Sequence, residues 1–187
     1  LIDHSKKIGG KILISGGGRC NFTNTGAGPA NYVSKNEHFC KSALSRYSPD
    51  DFIQMVRSHH IAYHEKKLGQ LFCDVTAQDI VKMLQTECSR SHAEFELESS
   101  IEHIERVPER GFKVTTSKNV IYCKSLVVAT GGLSIPKIGA TDLGYRIARS
   151  FGHKIVETIP ALDGFTLKSD ETASLKELSG VSVDCVI

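Results

Sequence analysis

The sequence predicts an α/β layered domain, and three observations lead to this prediction. First, a continuous apolar run at 125–130 is typical of a strand that is covered on both faces. Second, apolar residues recur at helical spacing in three segments, which start near 48, 76 and 142. Third, short alternating segments between the second and third helices predict a β-meander. Helices and strands in this order favour an α/β fold.

The first elements along the chain are a strand end and a glycine loop. The pattern of residues 1–3 predicts the end of a buried strand. After a polar turn, the apolar run 12–14 leads into Gly16-Gly17-Gly18. Three glycines cost backbone entropy and fill no volume in a core, but they supply bare N–H groups and positive φ angles. Such a backbone can wrap around an anionic ligand, although a flexible surface turn is the alternative interpretation. The polar residues that favour a ligand are Ser15, Arg19, Asn21, Thr23 and Asn24.

The first of the three helices has a strong start signal. Ser48 is a cap residue that is followed by proline and two acidic residues, and we expect the helix to run to about His59. The second helix is expected to begin at Thr76. The third is expected over 142–151, with Gly152 after its C-terminus. The residues of the first two helices expected at helical spacing are Phe52, Ile53, Val56, Ile80, Val81, Leu84 and Cys88.

Beyond residue 93 the hydrophobic period changes from helical to alternating. Phe95 and Leu97 alternate with glutamates, which predicts a half-buried strand. The last residues, 181–187, alternate again. Because the chain opens without Met and closes on this strand pattern, we expect it to be a piece of a longer protein. Further short strands of the meander are expected at 101–107, 112–116 and 120–123.

Length and composition limit the class of protein. The 187 residues, of which 40% are hydrophobic and 24% charged, can form one substantial domain, or one domain and part of another. The net charge is +2 without a dense basic run, so no nucleic-acid partner is expected. No apolar run approaches the length of a membrane span, and no signal peptide is recognisable. Six scattered cysteines indicate reduced thiols and a cytoplasmic protein.

Three places in the sequence are candidates for contact with a nucleotide. Asp3, at a strand end, can accept hydrogen bonds from adenosine ribose hydroxyls, although an ordinary turn residue is the alternative. Lys11 and Arg19 flank the glycine loop and can neutralise a pyrophosphate, or else be solvated surface charges. Thr130-Gly131-Gly132 follows the buried strand and permits close backbone approach, with a tight structural turn as the alternative.

Two other groups of residues carry weaker signals. His59, His60 and His64 are close in sequence, but no cysteine or acid is spaced to complete a zinc site, so no metal is expected. Cys20 lies beside Arg19, which favours its thiolate. No second cysteine is near, and a buried, unreactive thiol is the preferred interpretation.

Taken together, these segments resemble the BaiN-like (YhiN-type) family of NAD(P)- and FAD-dependent flavoproteins. The motif GKILISGGGRCNFTN at 10–24 is highly specific, and the resemblance covers nearly the whole chain. The other matching motifs are FxKSALSRYSPDDF at 39–52, HEKKLGQLF at 64–72, VVATGGLSxP at 127–136, GAT at 139–141, GYRIA at 144–148 and LSGVS at 178–182.

The resemblance implies an incomplete FAD-binding domain of the glutathione-reductase type in residues 1–160, and the start of a β-rich substrate domain in 161–187. It implies a cytoplasmic oxidoreductase that passes hydride from NAD(P)H through FAD to a small organic substrate. The family's N-terminal Gly-x-Gly-x-x-Gly strand–helix unit and its C-terminal part are not in this sequence. A truncated, non-catalytic flavoprotein fragment, or a nucleotide-binding module without redox activity, is the alternative.

The resemblance also implies a set of cofactor-binding residues, but no catalytic residue. Asp3 would hold the adenosine ribose, and Ile101 would give main-chain contacts to adenine. Lys11 and residues 15–21 would line the pyrophosphate and the flavin, and residues 130–132 would close on the dinucleotide from another strand. The full set is Asp3, Lys11, Ser15, Gly16, Gly17, Gly18, Arg19, Cys20, Asn21, Ile101, Thr130, Gly131 and Gly132.

Overall fold

The structure of the protein is a computed structural model that describes residues 1–159. The chain divides into two compact units, Leu1–Ile147 and Ala148–Ile187. The strand predicted at 181–187 and the substrate domain predicted at 161–187 lie outside the described residues. The proposed division of the chain after residue 160 therefore stays a prediction.

Helices and short strands alternate along the described residues. The helices are α1 (Gly10–Ile14), α2 (Lys41–Arg46), α3 (Pro49–Ser58), α4 (Gln78–Arg90) and α5 (Leu143–Ser150). The strands are β1 (Asn21–Asn24), β2 (Tyr63–Glu65), β3 (Gln70–Cys73), β4 (Ile101–Val107), β5 (Gly111–Thr116) and β6 (Val120–Cys123). Short 3-10 helices lie at Ser15–Gly18, Pro29–Asn31 and Pro136–Ile138.

Two small antiparallel sheets organise the first unit. In the first sheet β3 lies between β1 and β2, with Phe72 directly opposite His64. In the second sheet β5 lies between β4 and β6. The second sheet is the β-meander that the sequence predicts, so this prediction is confirmed. An isolated parallel bridge joins Ile2 to Glu96.

The main core joins the first sheet to helices α3 and α4. Val56 of α3, Cys73 of β3 and Ile80 of α4 are all buried in one apolar cluster. Helix α3 begins as predicted, because the Asp51 N–H donates to Ser48 Oγ while the Asp51 carboxylate accepts the Ser48 N–H at 2.7 Å. Apolar residues at helical spacing thus turn one face of each helix towards the sheet.

The three predicted helices are confirmed as α3, α4 and α5, with small differences at their ends. Helix α4 begins two residues after Thr76, whose hydroxyl accepts the Gln78 N–H at 3.2 Å. Gly152 follows α5 with a φ of 82°. The apolar run 12–14 belongs to the short helix α1.

Two predicted strands are wrong, and the buried strand end predicted at 1–3 is reduced to the bridge at Ile2, with Leu1 66% exposed. Residues 125–130 have no regular structure, and the Val127 side chain is 85% exposed. A strand covered on both faces needs hydrogen-bonded neighbours, and no strand of residues 1–159 lies beside this run. The strand predicted around Phe95 and Leu97 is reduced to the single bridge at Glu96.

Glu96 connects the N-terminal segment to the second sheet. Its Oε1 accepts hydrogen bonds from Ser99 Oγ at 2.5 Å and from Thr116 Oγ1 at 2.9 Å, and its Oε2 accepts from Asn119 Nδ2 at 2.9 Å. The Ser99 hydroxyl, followed by the Asn119 amide and the Thr116 hydroxyl, holds the pKa of the Glu96 carboxyl below its usual range. Both hydroxyl-bearing residues are buried, so the carboxylate satisfies groups that water cannot reach.

We predict that Glu96 makes stability depend on pH in the acid range. Because its folded pKa is depressed, the stabilisation is present above the unfolded pKa of about 4.3 and is lost as pH falls through the folded value. Glu96→Gln should lower the urea midpoint at pH 7 and flatten its decline between pH 5 and pH 3. Glu94→Gln is the matched control at an exposed site, and equal profiles for the two variants would contradict the prediction.

Candidate functional site

The three glycines form a tight left-handed turn directly after α1. Their φ angles are 57° at Gly16, 66° at Gly17 and 87° at Gly18. An L-residue with a side chain rarely adopts these angles, because its Cβ approaches the following carbonyl oxygen. The expectation that the glycines supply positive φ is therefore confirmed.

Gly16 and Gly17 of this turn have different surroundings. A Cβ on Gly16 would lie 2.7 Å from Phe72 Cε1 and 2.7 Å from the Asn21 nitrogen, so this glycine allows the turn to pack on β3. A Cβ on Gly17 would meet nothing within 4 Å. Gly17 thus leaves an open face of bare backbone, which a ligand from outside the chain can approach closely.

The turn is anchored to the core by backbone hydrogen bonds. The Ala77 N–H, at the start of α4, donates to the Gly18 carbonyl at 2.7 Å. The Cys73 N–H of β3 donates to the Arg19 carbonyl at 2.9 Å. Since Cys73 and Ala77 are buried, these bonds hold the turn in one conformation, while the Arg19 side chain stays exposed.

Lys11 joins the glycine turn to the other predicted glycine segment. Its Nζ donates to Ser134 Oγ and lies 3.5 Å from the Ser134 carbonyl, two residues beyond Gly131-Gly132. Gly131 has a φ of 74°, and its Cβ position is open. The structure therefore brings Lys11 and the segment after Thr130 together, although they are far apart in sequence.

The region around Asp3 contacts the chain at Gly139, five residues after Ser134. A Cβ on Gly139 would lie 2.6 Å from Nε2 of His4, the neighbour of Asp3. The Asp3 carboxylate is about half exposed and accepts the Ser5 N–H at 2.8 Å, while the Asp3 carbonyl accepts the Ser99 N–H at 3.0 Å. Ser99 lies two residues before Ile101, which links that predicted contact to the same region.

Residues 134–139 are thus touched by both Lys11 and His4, which flank the glycine turn and Asp3 respectively. Ser134 and His4 were not found from the sequence, and no local pattern marks them. Thr130 Oγ1 would lie 2.5 Å from a Cβ on Gly144, and Tyr145 Oη 3.5 Å from one on Gly132. These contacts place residues 130–132 against the beginning of α5.

Cys20 is in the core and not on the open side of the turn. It is 4% exposed, in the same cluster as Cys73, so any ligand contact would be through its backbone. Burial, and then the neighbouring Cys20, raise the pKa of the Cys73 thiol to about 11. All five cysteines within residues 1–159 are free thiols.

Two of the three histidines grouped in the sequence, His59 and His64, lie within hydrogen-bond distance of carboxylates. His59 Nε2 lies 2.5 Å from Glu87 Oε1, and His64 Nδ1 lies 2.7 Å from Asp74 Oδ1. The hydrogen bond from His59 holds the pKa of Glu87 below its usual range. Within the described part of the chain, no group of three metal-ligating side chains occurs. Nor does any helix there have the length and apolarity needed to cross a bilayer.

The small antiparallel sheets and the glycine turn are parts of a Rossmann-like α/β domain of the FAD-binding type. The chain belongs to the family described as HI0933-like protein Rossmann domain, whose model matches residues 1–186. The resemblance to flavoproteins is confirmed at the level of this family.

The relatives that match the whole chain include the following three proteins. The protein named ribosomal RNA dihydrouridine synthase from Escherichia coli K12 is 49% identical over 187 residues, and the one of that name from Haemophilus influenzae is 46% identical over 190 residues. The 3-dehydro-bile acid delta(4,6)-reductase of Clostridium scindens is 23% identical over 188 residues. The chain covers 46%, 47% and 45% of these three proteins, which is about half the length of the relatives it matches.

The expectation of no nucleic-acid partner is wrong. The two relatives at 49% and 46% identity are both named for ribosomal RNA. The expectation was based on a net charge of +2 and the lack of a basic run, and these quantities count charges along the chain. Contact with RNA depends on where the charges lie on the folded surface, which such counts do not measure.

We predict different stabilities for alanine substitutions at adjacent glycines of the turn. Gly16→Ala forces a Cβ against Phe72 and the Asn21 backbone, and it should cost about 2–3 kcal/mol more than Gly17→Ala. Gly17→Ala meets open space and should cost about 1–2 kcal/mol through its φ alone. Urea unfolding of both variants measures the difference, and equal losses would show that Phe72 does not pack on the turn.

Proposed function

We propose that the protein containing this chain is an FAD-dependent enzyme that reduces uridine to dihydrouridine in ribosomal RNA. The chain would contribute part of a glutathione-reductase-type FAD site, with NAD(P)H as the electron donor. When bound and reduced by NAD(P)H, FAD would supply the hydride that, together with a proton, saturates the C5–C6 double bond of the uracil ring. A cytoplasmic location is part of the proposal.

The observation that carries the proposal is the meeting of Lys11 and His4 on residues 134–139. Three segments that the sequence assigns to one cofactor, around Asp3, around the glycine turn and after residue 130, are neighbours in the fold. The open Cβ positions of Gly17 and Gly131 fit this group, because they leave bare backbone on the glycine turn and on the segment whose Ser134 contacts Lys11.

In this proposal each segment has a separate role. Lys11 and Arg19 would neutralise the pyrophosphate, and the exposed backbone of residues 16–18 would approach it without hindrance from side chains. Asp3 would hold the ribose, for which its Oδ2 has no hydrogen-bond partner among residues 1–159. Residues 130–132 would close on the dinucleotide from the side of α5.

The names of the relatives support the reaction type. Dihydrouridine synthesis and the reduction of a bile acid both add hydrogen to an unsaturated ring, although the two substrates differ greatly in size and charge. A shared reductive chemistry with different substrates is the pattern expected when the cofactor domain is common and the substrate is recognised elsewhere. The ribosomal RNA substrate is proposed from the two relatives near half identity.

We predict that Lys11 contributes to FAD affinity through its charge. Lys11→Gln in the full protein should weaken FAD binding about tenfold or more, as expected for the loss of a charged hydrogen bond to phosphate. Lys11→Arg should retain most of the affinity, and Lys82→Gln, on the exposed side of α4, is the neutral control. FAD titration followed by flavin fluorescence gives the constants. A wild-type protein that takes up no flavin would overturn the proposed function.

We also predict a change in the ribosomal RNA of cells that lack the protein. Nucleoside mass spectrometry of their ribosomal RNA should show less dihydrouridine than in the parent strain. The wild-type gene should restore it, whereas Gly17→Val, which places a branched side chain on the open face of the turn, should not. Unchanged dihydrouridine after deletion would refute the proposed substrate while leaving the flavin site to be judged by FAD titration.

A further inference from the structure

The four residues between β2 and β3 contain a tight turn over Lys67–Gln70 whose first central residue is unusual. The Gln70 N–H donates to the Lys67 carbonyl at 3.1 Å, and the central residues Leu68 and Gly69 have φ angles of 53° and 77°. Two consecutive left-handed residues are the pattern of a type I′ turn. We call residues 66–69 the hairpin tip.

Leucine at position 68 is explained neither by the turn nor by burial. The first central position of this turn favours asparagine, aspartate or glycine, because other residues crowd their Cβ against the backbone. The Leu68 side chain is 85% exposed, so it gains almost nothing from packing in the described part of the chain. A strained residue that contributes no core contact is a candidate for a role outside the chain.

The hairpin tip is held rigidly in place. Asn24 Nδ2 donates to the Leu68 carbonyl at 2.7 Å, and the Thr25 N–H donates to the Gly69 carbonyl at 2.9 Å. The Gly69 N–H donates to Glu65 Oε1 at 3.1 Å. These bonds fix the backbone of the tip, so little backbone entropy remains to be lost there when a partner binds.

Two lysines next to Leu68 carry positive charges. Lys66 and Lys67 are both exposed and precede it directly. The Lys66 ammonium lies 5.4 Å from the centre of the Phe72 ring, which also stacks on His64. The carboxylate of Glu65 accepts the Gly69 N–H at the base of the tip. An apolar side chain directly after two cationic ones suits a partner that offers both flat apolar surfaces and anions.

The tip is also close to the candidate cofactor site. Strand β3 begins at Gln70, and Phe72, two residues along it, packs on Gly16 of the glycine turn. Two residues of extended strand span about 7 Å. One short strand thus carries the tip at one end and the glycine turn beside the other.

We propose that the hairpin tip is a contact surface for ribosomal RNA, with Leu68 against bases and Lys66 and Lys67 on phosphates. This inference rests on the proposed function. An enzyme that reduces a base must reach it outside the stack, and apolar wedges beside basic residues are a known means of opening base steps. The two lysines favour a polyanion over a protein partner as the occupant.

The decisive variant is Leu68→Asn in the full protein, because it separates binding from stability. Asparagine relieves the strain of the turn, so the melting temperature should stay equal or rise. Affinity for phenol-extracted, deproteinised bacterial ribosomal RNA should fall at least threefold in a filter-binding assay. Val33→Asn removes another exposed apolar side chain, 99% exposed, and should leave both quantities unchanged.

A second variant tests the charge. Lys67→Gln should weaken binding to the same RNA and reduce the slope of log affinity against log salt by about 1. Lys35→Gln, at an exposed position of the polar connection before α2, is the control and should keep the wild-type slope.

The outcomes separate this inference from the proposed function. Wild-type protein that binds ribosomal RNA and makes dihydrouridine, together with unchanged Leu68→Asn and Lys67→Gln variants, overturns the inference alone. A Leu68→Asn variant that melts earlier shows a structural role and also overturns it. Variants that bind bare RNA normally but fail on intact ribosomal particles assign the tip to a protein partner. Wild-type protein that neither binds the RNA nor takes up flavin overturns both proposals.

Discussion

The fold of the first unit depends on how the backbone of the glycine turn is tied to the core. The Gly18 and Arg19 carbonyls accept hydrogen bonds from Ala77 and Cys73, two residues that are at most 1% exposed. Water does not compete for bonds at such buried positions, and leaving either group unpaired there would be costly. The conformation of the candidate site is therefore determined by the same contacts that stabilise the helices against the sheet.

Strand β3 connects the buried core to the surface of the first unit. Its side chains alternate, so Leu71 and Cys73 are buried while Phe72 faces outward against Gly16 and His64. The candidate cofactor surface and the hairpin tip are thus positioned by one strand whose other face is core. A substitution in the core beneath β3 would shift both surfaces together, whereas a substitution at the tip would leave the glycine turn in place.

Local signals in the sequence were sufficient for the three longer helices α3, α4 and α5, for the meander and for the conformation of the glycine turn, but not for α1 and α2. The Ser48 cap works within four residues, and the positive φ angles follow from the glycines themselves. The pairing of Lys11 with Ser134 was not predictable, because it joins positions 123 residues apart without a local pattern. The run at 125–130 was misassigned for a related reason, since an apolar pattern states what a segment needs and not whether partner strands lie beside it.

Gly17 and Leu68 are two exposed positions that packing among residues 1–159 does not explain. No atom of the described residues lies within 4 Å of a Cβ placed on Gly17, so packing does not require a glycine there. Leu68 occupies a turn position that favours glycine or asparagine. The left-handed backbone at Gly17 suits glycine and leaves this surface bare, whereas Leu68 is strained without a compensating contact among residues 1–159. Strained residues of this kind concentrate at functional sites. Both positions flank β3 and face outward. A cofactor over the glycine turn and an RNA at the hairpin tip would account for both the bare surface at Gly17 and the exposed Leu68. Strand β3 would then position the reductant and its substrate relative to each other.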